Sequence, residues 1–578
     1  TRVATALNTA GGIAGEASGS AVELIGNVNT GYVHSLRDVG GISSSATRAK
    51  KVACNLNYGM VDYHYTDGTV GSFFAYKYTG DDTAGNCFDA QIGYQNAACY
   101  TALNGISGLT TAELTSGKKI DGLLDSEHFD FTEGMYPVLK AFKDEPAAIA
   151  HRQMIVKFAA ADNCDNMKST ATLSNTKGME WALAKSADFA INGSKLTVAL
   201  SKGTTSLRDT LTVTFNGYQK ALPLRAVPAL FDGEGTAQSP YLIKNVEDMQ
   251  TLGQFSTNEN FNFAGNYFRL VNDLDFKGEK FYPVALPPTL FEGDFDGNGK
   301  KLSNVTYTTD EDYAGVFSNV GKSGCVHDLT LASGTITGYR YPAGIANSVY
   351  GKIYNCTNGA TITTEKYPYA GGVVAHLYSG GSIIGCSNYG NVAPASGSGA
   401  GIVCNTSDGS LVKDCVNNGK FTDNYSMAGI VCSNYGKIVD CVNKGTISGS
   451  GSLAGIVVES NGGDSVINCR NEATIRGTSG YIGGVVATTK ASDKPSVYIN
   501  CYNTASISGK EIVGGFVGIA RVGVEFNGCY NTGDVTGDGS SVGGFIGSAY
   551  SSSTNTGTGL VINCYNSGQV SNSNKYTG

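Results

Sequence analysis

The sequence predicts an all-β protein: two parallel β-helix (solenoid) segments separated by a small Ig-like β-sandwich, with a short capping helix at the start of the second solenoid. Three observations support this fold class. Glycine accounts for 78 of the 578 residues, which disfavours a helical bundle because each glycine in a helix interior costs about 1 kcal/mol relative to alanine. Charged residues make up only 16% and aromatic residues 10%, which excludes a disordered polyelectrolyte. Finally, two short apolar phrases alternate at a regular spacing, as they do in solenoids.

The first phrase begins with cysteine. It reads Cys-x-Asn-x-[Gly/Ala]-x-hydrophobic and occurs eight times, at intervals of 30, 29, 26, 28, 32, 28 and 35 residues. Short Val- and Ile-rich segments bounded by Gly, Asn and Ser are typical of strands and turns. The phrase starts at Cys356, Cys386, Cys415, Cys441, Cys469, Cys501, Cys529 and Cys564.

The second phrase is centred on glycine and lies between the cysteine phrases. It reads Ala-Gly-Ile, Gly-Gly-Val or Gly-Gly-Phe and recurs from 343–345 to 543–545. A repeat of about 28 residues with two or three short strands makes one coil of a parallel β-helix, in which equivalent residues stack about 4.8 Å apart. This spacing predicts an interior cysteine ladder and, at the next corner, a column of hydrogen-bonded asparagines. Disulfides within the ladder are disfavoured, because a disulfide needs Cβ atoms about 3.8 Å apart.

The repeated phrases resemble a known family. "NCYNTGDVTG" and "VGGFIG", together with an opening segment that begins "FDGEGTAQSPYLIKNVEDMQTLGQF", resemble the GLUG repeats of bacterial cell-surface proteins. The resemblance covers Phe231 to Gly578. Because GLUG arrays accompany adhesins and IgA-cleaving metallopeptidases, the resemblance implies an extracellular, surface-attached protein. It does not by itself imply an activity.

The same patterns predict four regions. Residues 1–145 form the C-terminal part of a first GLUG-type β-helix with a closing segment, since Asn27 and Asn55 occupy the slot that cysteine fills later. Residues 146–226 form the Ig-like spacer, 227–310 the opening and cap region of the second β-helix, and 311–578 its repeats. Asn245 is the predicted N-cap of the capping helix. Since both arrays are cut within a coil, we expect a fragment of a longer protein, with end-to-end self-association into a filament as the alternative.

The net charge and the absence of known sequence motifs limit the functions that the sequence supports. The net charge is −8, without a basic block, so nucleic-acid binding is disfavoured. No apolar run reaches the roughly 18 residues of a membrane span, and no His-Glu-x-x-His zinc motif occurs. The sequence therefore predicts no cofactor, no metal site and no membrane span in this chain. Asp294, Asp296 and Asn298 match the spacing of the first half of a calcium-binding loop. We interpret this segment as a tight turn, with weak Ca²⁺ binding as the alternative.

A catalytic hypothesis depends on two carboxylates. Asp414 and Asp440 each precede a ladder cysteine and are expected on the outer face of adjacent coils, about 5 Å apart, a separation that suits a retaining glycosidase. The same column continues with Asn and Gly, however, which favours a structural role. The sequence therefore predicts no catalytic residues and a protein that is not an enzyme.

Tyrosines give the candidate binding residues. One group lies just before the glycine phrase, and a second follows the ladder cysteine one coil apart. Stacked rings can bind sugar faces or a partner protein, although they can also simply shield a sheet. The candidates are Tyr313, Tyr339, Tyr341, Tyr367, Tyr369 and Tyr425 in the first group, and Tyr502, Tyr530 and Tyr565 in the second.

These observations favour an extracellular surface adhesin or stalk. Its rigid β-helical face would bind a host or bacterial surface glycan or a protein. Two alternatives stay open at this point: a structural subunit of an extracellular filament and a carbohydrate-active β-helix enzyme.

Overall fold

The chain forms two compact units, residues 1–230 and 231–578. The computed structural model describes residues 2–4, 9–17, 19–35, 38–46, 49–63, 70–71, 73–75, 83–92, 105–120, 123–158, 170–185, 188–200, 203, 205–366, 369–423, 425–550 and 559–573.

The second unit is a parallel β-solenoid, which confirms the predicted fold class. Its strands are two to five residues long and pair in parallel with the equivalent strand of the next coil. They form six sheets of 12, 11, 9, 7, 6 and 4 strands. The 12-stranded sheet runs from Tyr241–Ile243 to Leu560–Ile562, and the 11-stranded sheet runs from Leu274–Asp275 to Tyr565–Asn566. The 9-stranded sheet runs from Phe317–Val320 to Ile546–Tyr550, and the 7-stranded sheet runs from Tyr369–Gly371 to Ser541–Gly543. The 6-stranded sheet runs from Phe421–Asp423 to Val570–Asn572, and the 4-stranded sheet runs from Val305–Thr308 to Val392–Ala393.

One coil shows the arrangement. After Cys356 the chain enters a two-residue strand, turns at Gly359, and then passes through three further strands before the next coil begins. Apolar side chains such as Ile353 and Ile362 point inward and are fully buried. The strands of this coil are Lys352–Tyr354, Thr357–Asn358, Thr361–Thr364, Tyr369–Gly371 and Val374–Leu377.

The cysteine ladder lies inside the solenoid. The ladder cysteines from Cys356 to Cys529 are buried, Cys564 in the last described coil is partly exposed, and all eight are free thiols. The backbone N–H of Cys441 lies 3.4 Å from Sγ of Cys469 in the next coil. Burial raises the pKa of thiols such as Cys386 and Cys501 well above its ordinary value, so these thiols stay protonated and unreactive at neutral pH.

The asparagine column also stacks coil on coil. Nδ2 of Asn358 donates to Oδ1 of Asn388 at 2.8 Å, and Nδ2 of Asn388 donates to Oδ1 of Asn417 at 3.0 Å. The chain of amides continues in the same way to Asn566. Each amide also bonds the turn two residues later, as Asn417 bonds N–H and C=O of Gly419. Buried polar side chains are thus satisfied by one another.

A column of left-handed residues stands next to the cysteine ladder. Each residue just before the ladder position has a φ between 52° and 67°. Only Gly, Asn and Asp adopt this conformation readily, which explains the residue types in the column, including Asp414 and Asp440. The column consists of Gly299, Asp328, Asn355, Gly385, Asp414, Asp440, Asn468, Asn500, Gly528 and Asn563.

The predicted capping helix is present at Val246–Asn258. The side chain of Asn245 accepts a hydrogen bond from the backbone N–H of Asp248 at 2.9 Å, which confirms the predicted N-cap. Met249, Leu252 and Phe255 form the buried face of the helix. The helix directly follows the first strand of the 12-stranded sheet.

The first unit begins with parallel coils like those of the second. Asn27, Asn55 and Asn86 form their own amide ladder, with Nδ2 to Oδ1 distances of 2.8 and 2.9 Å. The parallel strands are Arg2–Ala4, Tyr32–Ser35 and Val61–Tyr63; Val28–Asn29, Leu56–Asn57, Asn86–Asp89 and Ile106–Leu109; Thr9–Gly11, Asp38–Gly40 and Val70–Gly71; Glu23–Ile25, Lys51–Ala53 and Thr83–Ala84; and Ala14–Glu16 and Ser43–Ser45.

The rest of the first unit contains short helices and antiparallel sheets. The helices are Thr111–Leu114, Lys140–Phe142 (3-10) and Pro146–Gln153. The antiparallel strands are Phe129–Asp130 and Val138–Leu139; Val156–Phe158, Thr170–Leu173, Lys195–Val198 and Phe189–Asn192; and Glu180–Leu183, Leu207–Phe215 and Tyr218–Ala226.

The parallel coils and the antiparallel sheets of the first unit share one hydrophobic core. Leu56 and Tyr58 from the coils belong to the same buried cluster as Leu211 and Leu222 from the antiparallel strands. The four region boundaries and the Ig-like classification of 146–226 stay predictions. Within the described part of the chain, no helix has the length and apolar character that a membrane span requires.

Candidate functional site: an aromatic strip on the second unit

Five aromatic side chains form a continuous strip across two consecutive coils of the second unit. They are Tyr341, Tyr350, Tyr369, His376 and Tyr378, which we call the aromatic strip. All five are half-buried, so each ring keeps part of its surface in solvent. The strip combines two of the predicted tyrosines with three aromatic residues that the sequence analysis did not select.

The rings of the strip stack on one another. The ring centroids of Tyr341 and Tyr369 are 5.4 Å apart with planes 4° from parallel, and those of Tyr350 and Tyr378 are 4.2 Å apart at 6°. His376 joins the two pairs, since its ring lies 4.6 Å from Tyr378 and 6.1 Å from Tyr341. Members of each tyrosine pair are 28 residues apart, which is one coil.

The strip is uncharged at neutral pH. Burial lowers the pKa of His376, so the imidazole is neutral. Burial, with the neighbouring Tyr378, raises the pKa of Tyr350 to about 12. Because neither a phenolate nor an imidazolium forms, the rings offer flat apolar faces with neutral polar edges.

Polar groups border the strip near Tyr341. Nε of Arg340 lies 3.4 Å from Oδ1 of Asp312, and the guanidinium lies 5.7 Å from the ring centre of Tyr339. Nδ2 of Asn347 donates to the backbone C=O of Asp312 at 3.0 Å and also to that of Tyr341. Because Asn347 is buried, its amide holds the backbone at Asp312 and Tyr341 in place. The partly exposed Arg340 and Asp312, in contrast, put charged groups next to apolar ring faces, as expected of a ligand site.

The remaining tyrosines of the first predicted group lie around the strip or away from it. Tyr313 is 36% exposed and lies close enough to Tyr350 to raise its pKa. Tyr339 contacts Arg340, and Tyr425 is half-buried. Tyr367 lies outside the described residues.

The second predicted group is a separate ladder. The ring centroids of Tyr502 and Tyr530 are 4.7 Å apart at 4°, and those of Tyr530 and Tyr565 are 5.0 Å apart at 6°. Their strands pair in register in the 11-stranded sheet. The stacking within this ladder is of the same kind as in the two tyrosine pairs of the strip.

The acidic turn at 294–298 is engaged within the protein. Asp294 Oδ1 lies 3.0 Å from Nε2 of His327, and Asp296 accepts a hydrogen bond from Nε of Arg269 at 2.9 Å. Asn298 has a φ of 51°, and its N–H donates to Asp296 Oδ1 at 2.7 Å, which describes a tight turn. Because an imidazole and a guanidinium already face these carboxylates, Ca²⁺ binding is disfavoured at this turn.

Comparisons with known proteins give short and distant matches. No family model matches the chain, so membership of the GLUG family stays a prediction. Halomucin of Haloquadratum walsbyi is 29% identical over 151 residues, 24% of this chain and 2% of that protein. A protein of Evansella cellulosilytica that is named a Gly-rich membrane protein is 31% identical over 133 residues, 21% of this chain and 15% of that protein. The matches thus span a small part of both relatives.

Two solved structures were also matched. A crystal structure assigned as an immunoglobulin A1 protease of Bacteroides ovatus has 18% identity and a TM-score of 0.35, over 59% of this chain and 87% of that one. An IgA1 protease has 12% identity and a TM-score of 0.23, over 63% of this chain and 27% of that one.

These structures correct one prediction. The expectation that the protein is not an enzyme is wrong on this comparison, because both matched structures are described as proteases. At these identities and TM-scores the likeness carries no activity over to this chain.

Proposed function

We propose that this chain belongs to a cell-surface protein and that its second unit binds carbohydrate through the aromatic strip. The observation that carries the proposal is the continuous, uncharged strip of five rings beside Arg340 and Asp312. Sugar rings have apolar C–H faces that pack on aromatic rings, and their hydroxyls bond to neighbouring charged groups.

Two further observations support a surface location. Distant relatives over part of the chain are named a halomucin and a membrane protein. Tyr369 and His376 also lie on strands of the stacked coils, and Tyr350 and Tyr378 each directly follow a strand; such fixed positions reduce the entropy lost on binding.

The test is a carbohydrate array probed with the whole chain and with two variants. Tyr341→Ala combined with Tyr378→Ala removes one ring from each stacked pair, and we expect at least a ten-fold loss of binding to the glycans that the native chain retains. Tyr389→Ala is the matched control, because this tyrosine is 62% exposed and makes no ring contact among the described residues.

Two results would contradict the proposal. One is native-like glycan binding by the double variant when its circular dichroism spectrum is unchanged. The other is an equal loss of binding in Tyr389→Ala, which would place the contact elsewhere on the unit.

A further inference from the structure

Three side chains of metal-ligating type meet in the first unit. Sγ of Cys54 lies 3.0 Å from Oδ2 of Asp125. Nδ1 of His128 lies 2.8 Å from Oδ1 and 3.0 Å from Oδ2 of the same carboxylate. One sulfur, one oxygen and one nitrogen ligand atom all lie within 4.8 Å of one another, although Cys54 and Asp125 are 71 residues apart in the chain.

Cys54 occupies a backbone position that does not favour cysteine. Its φ is 54°, and the register of the strands that follow makes it equivalent to Gly26 in the previous coil and Gly85 in the next. These glycines have φ values of 62° and 67°. The corresponding column of the second unit contains only Gly, Asn and Asp. Backbone geometry therefore does not explain a cysteine here, which directs attention to its thiol.

Gly26 leaves space for the cluster, because a Cβ at this position would lie 3.0 Å from Cδ2 of His128. At Gly85 a Cβ would instead lie 2.3 Å from the carbonyl oxygen of Leu123, with Sγ of Cys54 at 3.4 Å. The side chains of Asp125 and His128 are 37% and 38% exposed, so both can adjust and solvent can reach the site.

We propose that Cys54 Sγ, the Asp125 carboxylate and His128 Nδ1 bind one divalent transition-metal ion of the zinc class, with water as the fourth ligand. Thiolate, carboxylate and imidazole are the ligand types that zinc takes in proteins. Zinc–ligand distances of about 2.0 to 2.3 Å in a tetrahedron place ligand atoms about 3.3 to 3.6 Å apart. The contacts of Asp125 with Cys54 and His128 would therefore have to lengthen by about half an ångström. Cys54 Sγ and His128 Nδ1, which lie within 4.8 Å of each other, would have to take up the same spacing.

The proton balance of binding is simple. The metal replaces the hydrogen atoms that now face the carboxylate: the Cys54 thiol releases its proton to solvent as the S–metal bond forms. A neutral His128 carries its proton on Nε2 when Nδ1 binds the metal. The two negative ligands, thiolate and carboxylate, then neutralise the charge of the divalent ion.

The same trio is not arranged as an activated nucleophile. In nucleophilic sites a base lies beside the thiol and is itself oriented by an acid, whereas here the carboxylate lies between Cys54 and His128. Burial, together with the Asp125 carboxylate, raises the pKa of Cys54 to about 11. The metal-free thiol is therefore protonated at neutral pH and a poor nucleophile.

The test uses the full chain, stripped of metal by a chelator and titrated with Co²⁺ and then Zn²⁺. We expect one equivalent of Co²⁺ to give thiolate-to-cobalt charge-transfer absorption, and Zn²⁺ to displace it. Cys54→Asn introduces a residue that the equivalent positions already use at positive φ, so it should fold normally and bind the metal about 100-fold more weakly or worse. Cys325→Ser, which removes a partly exposed thiol of the second unit, should bind like the native chain.

Each outcome decides the matter. A cobalt spectrum that disappears in Cys54→Asn and persists in Cys325→Ser supports the site. The absence of a thiolate–cobalt spectrum in the native chain overturns it, as does an unchanged spectrum in Cys54→Asn. The result is independent of glycan binding, which concerns the other unit.

Discussion

Replacing Gly401 with alanine is expected to lower the free energy of unfolding of the second unit by about 3 kcal/mol, at the upper end of the cost of overpacking. A Cβ at this position would lie 2.3 Å from the carbonyl oxygen of Gly429 in the next coil and 2.4 Å from Oδ1 of Asn417. Both are far below contact distance, and neither group can move freely. Urea denaturation followed by circular dichroism measures the effect.

Gly559→Ala is the matched control, because no atom of the described residues lies within 4 Å of the added Cβ. We expect it to change the stability by less than about 0.5 kcal/mol, as ordinary surface substitutions do. Equal stability of Gly401→Ala and Gly559→Ala would show that the coils do not approach as closely as described here.

Replacing Asn417 with leucine should be at least as damaging, with a loss of about 4 kcal/mol. The side chain is fully buried. Its Nδ2 donates to Asn443 Oδ1 at 2.8 Å and to the C=O of Gly419 at 3.2 Å, while its Oδ1 accepts from Asn388 Nδ2 at 3.0 Å. Leucine leaves several of these buried partners unsatisfied, at about 1 to 3 kcal/mol each.

The adjacent residue provides the control for this change. Asn418 has the same side chain, is only partly buried, and takes part in the stack through its backbone N–H, which donates to the C=O of Asn388 at 2.7 Å. Asn418→Leu should therefore cost less than about 1 kcal/mol. Similar losses for the two variants in the same denaturation assay would argue against an interior amide ladder.

The coil architecture could be predicted from the sequence because both repeated phrases report direct contacts between coils. The asparagine of one phrase and the glycine of the other meet, since a Cβ added at Gly401 would lie 2.4 Å from Oδ1 of Asn417. Close approach to a buried amide excludes any side chain, so glycine recurs at one fixed place in each coil. The period of the sequence therefore follows from the packing of each coil on the next.

The candidate sites were predicted only in part. Tyr341 and Tyr369 share one offset from the glycine phrase and were selected for that reason. Tyr350, His376 and Tyr378 come from or just after the following strand, and their contact with Tyr341 depends on how two sheets meet. The only available signal was the 28-residue interval between Tyr350 and Tyr378.

The trio of Cys54, Asp125 and His128 is still harder to predict from the sequence. Asp125 and His128 lie outside the repeats, and no local spacing relates them to Cys54. The column of Asn, Asp and Gly before the ladder cysteines was recognised from the sequence and given a structural role, but its left-handed conformation was not predicted. Once the φ values are known, the same residues mark Cys54 as the exception.

The most direct test of the in-register stack is a pair of distances measured by pulsed electron paramagnetic resonance. Thr330, Arg470 and Tyr565 occupy one column of the 11-stranded sheet, with Arg470 five coils and Tyr565 eight coils from Thr330. With nitroxide amino acids at these positions, the backbone separations should be about 24 Å for Thr330–Arg470 and about 38 Å for Thr330–Tyr565. Two narrow distributions that differ by about 14 Å are the expected result. Broad distributions, or a second distance no longer than the first, would contradict the stacked coils on which the strip and both ladders depend.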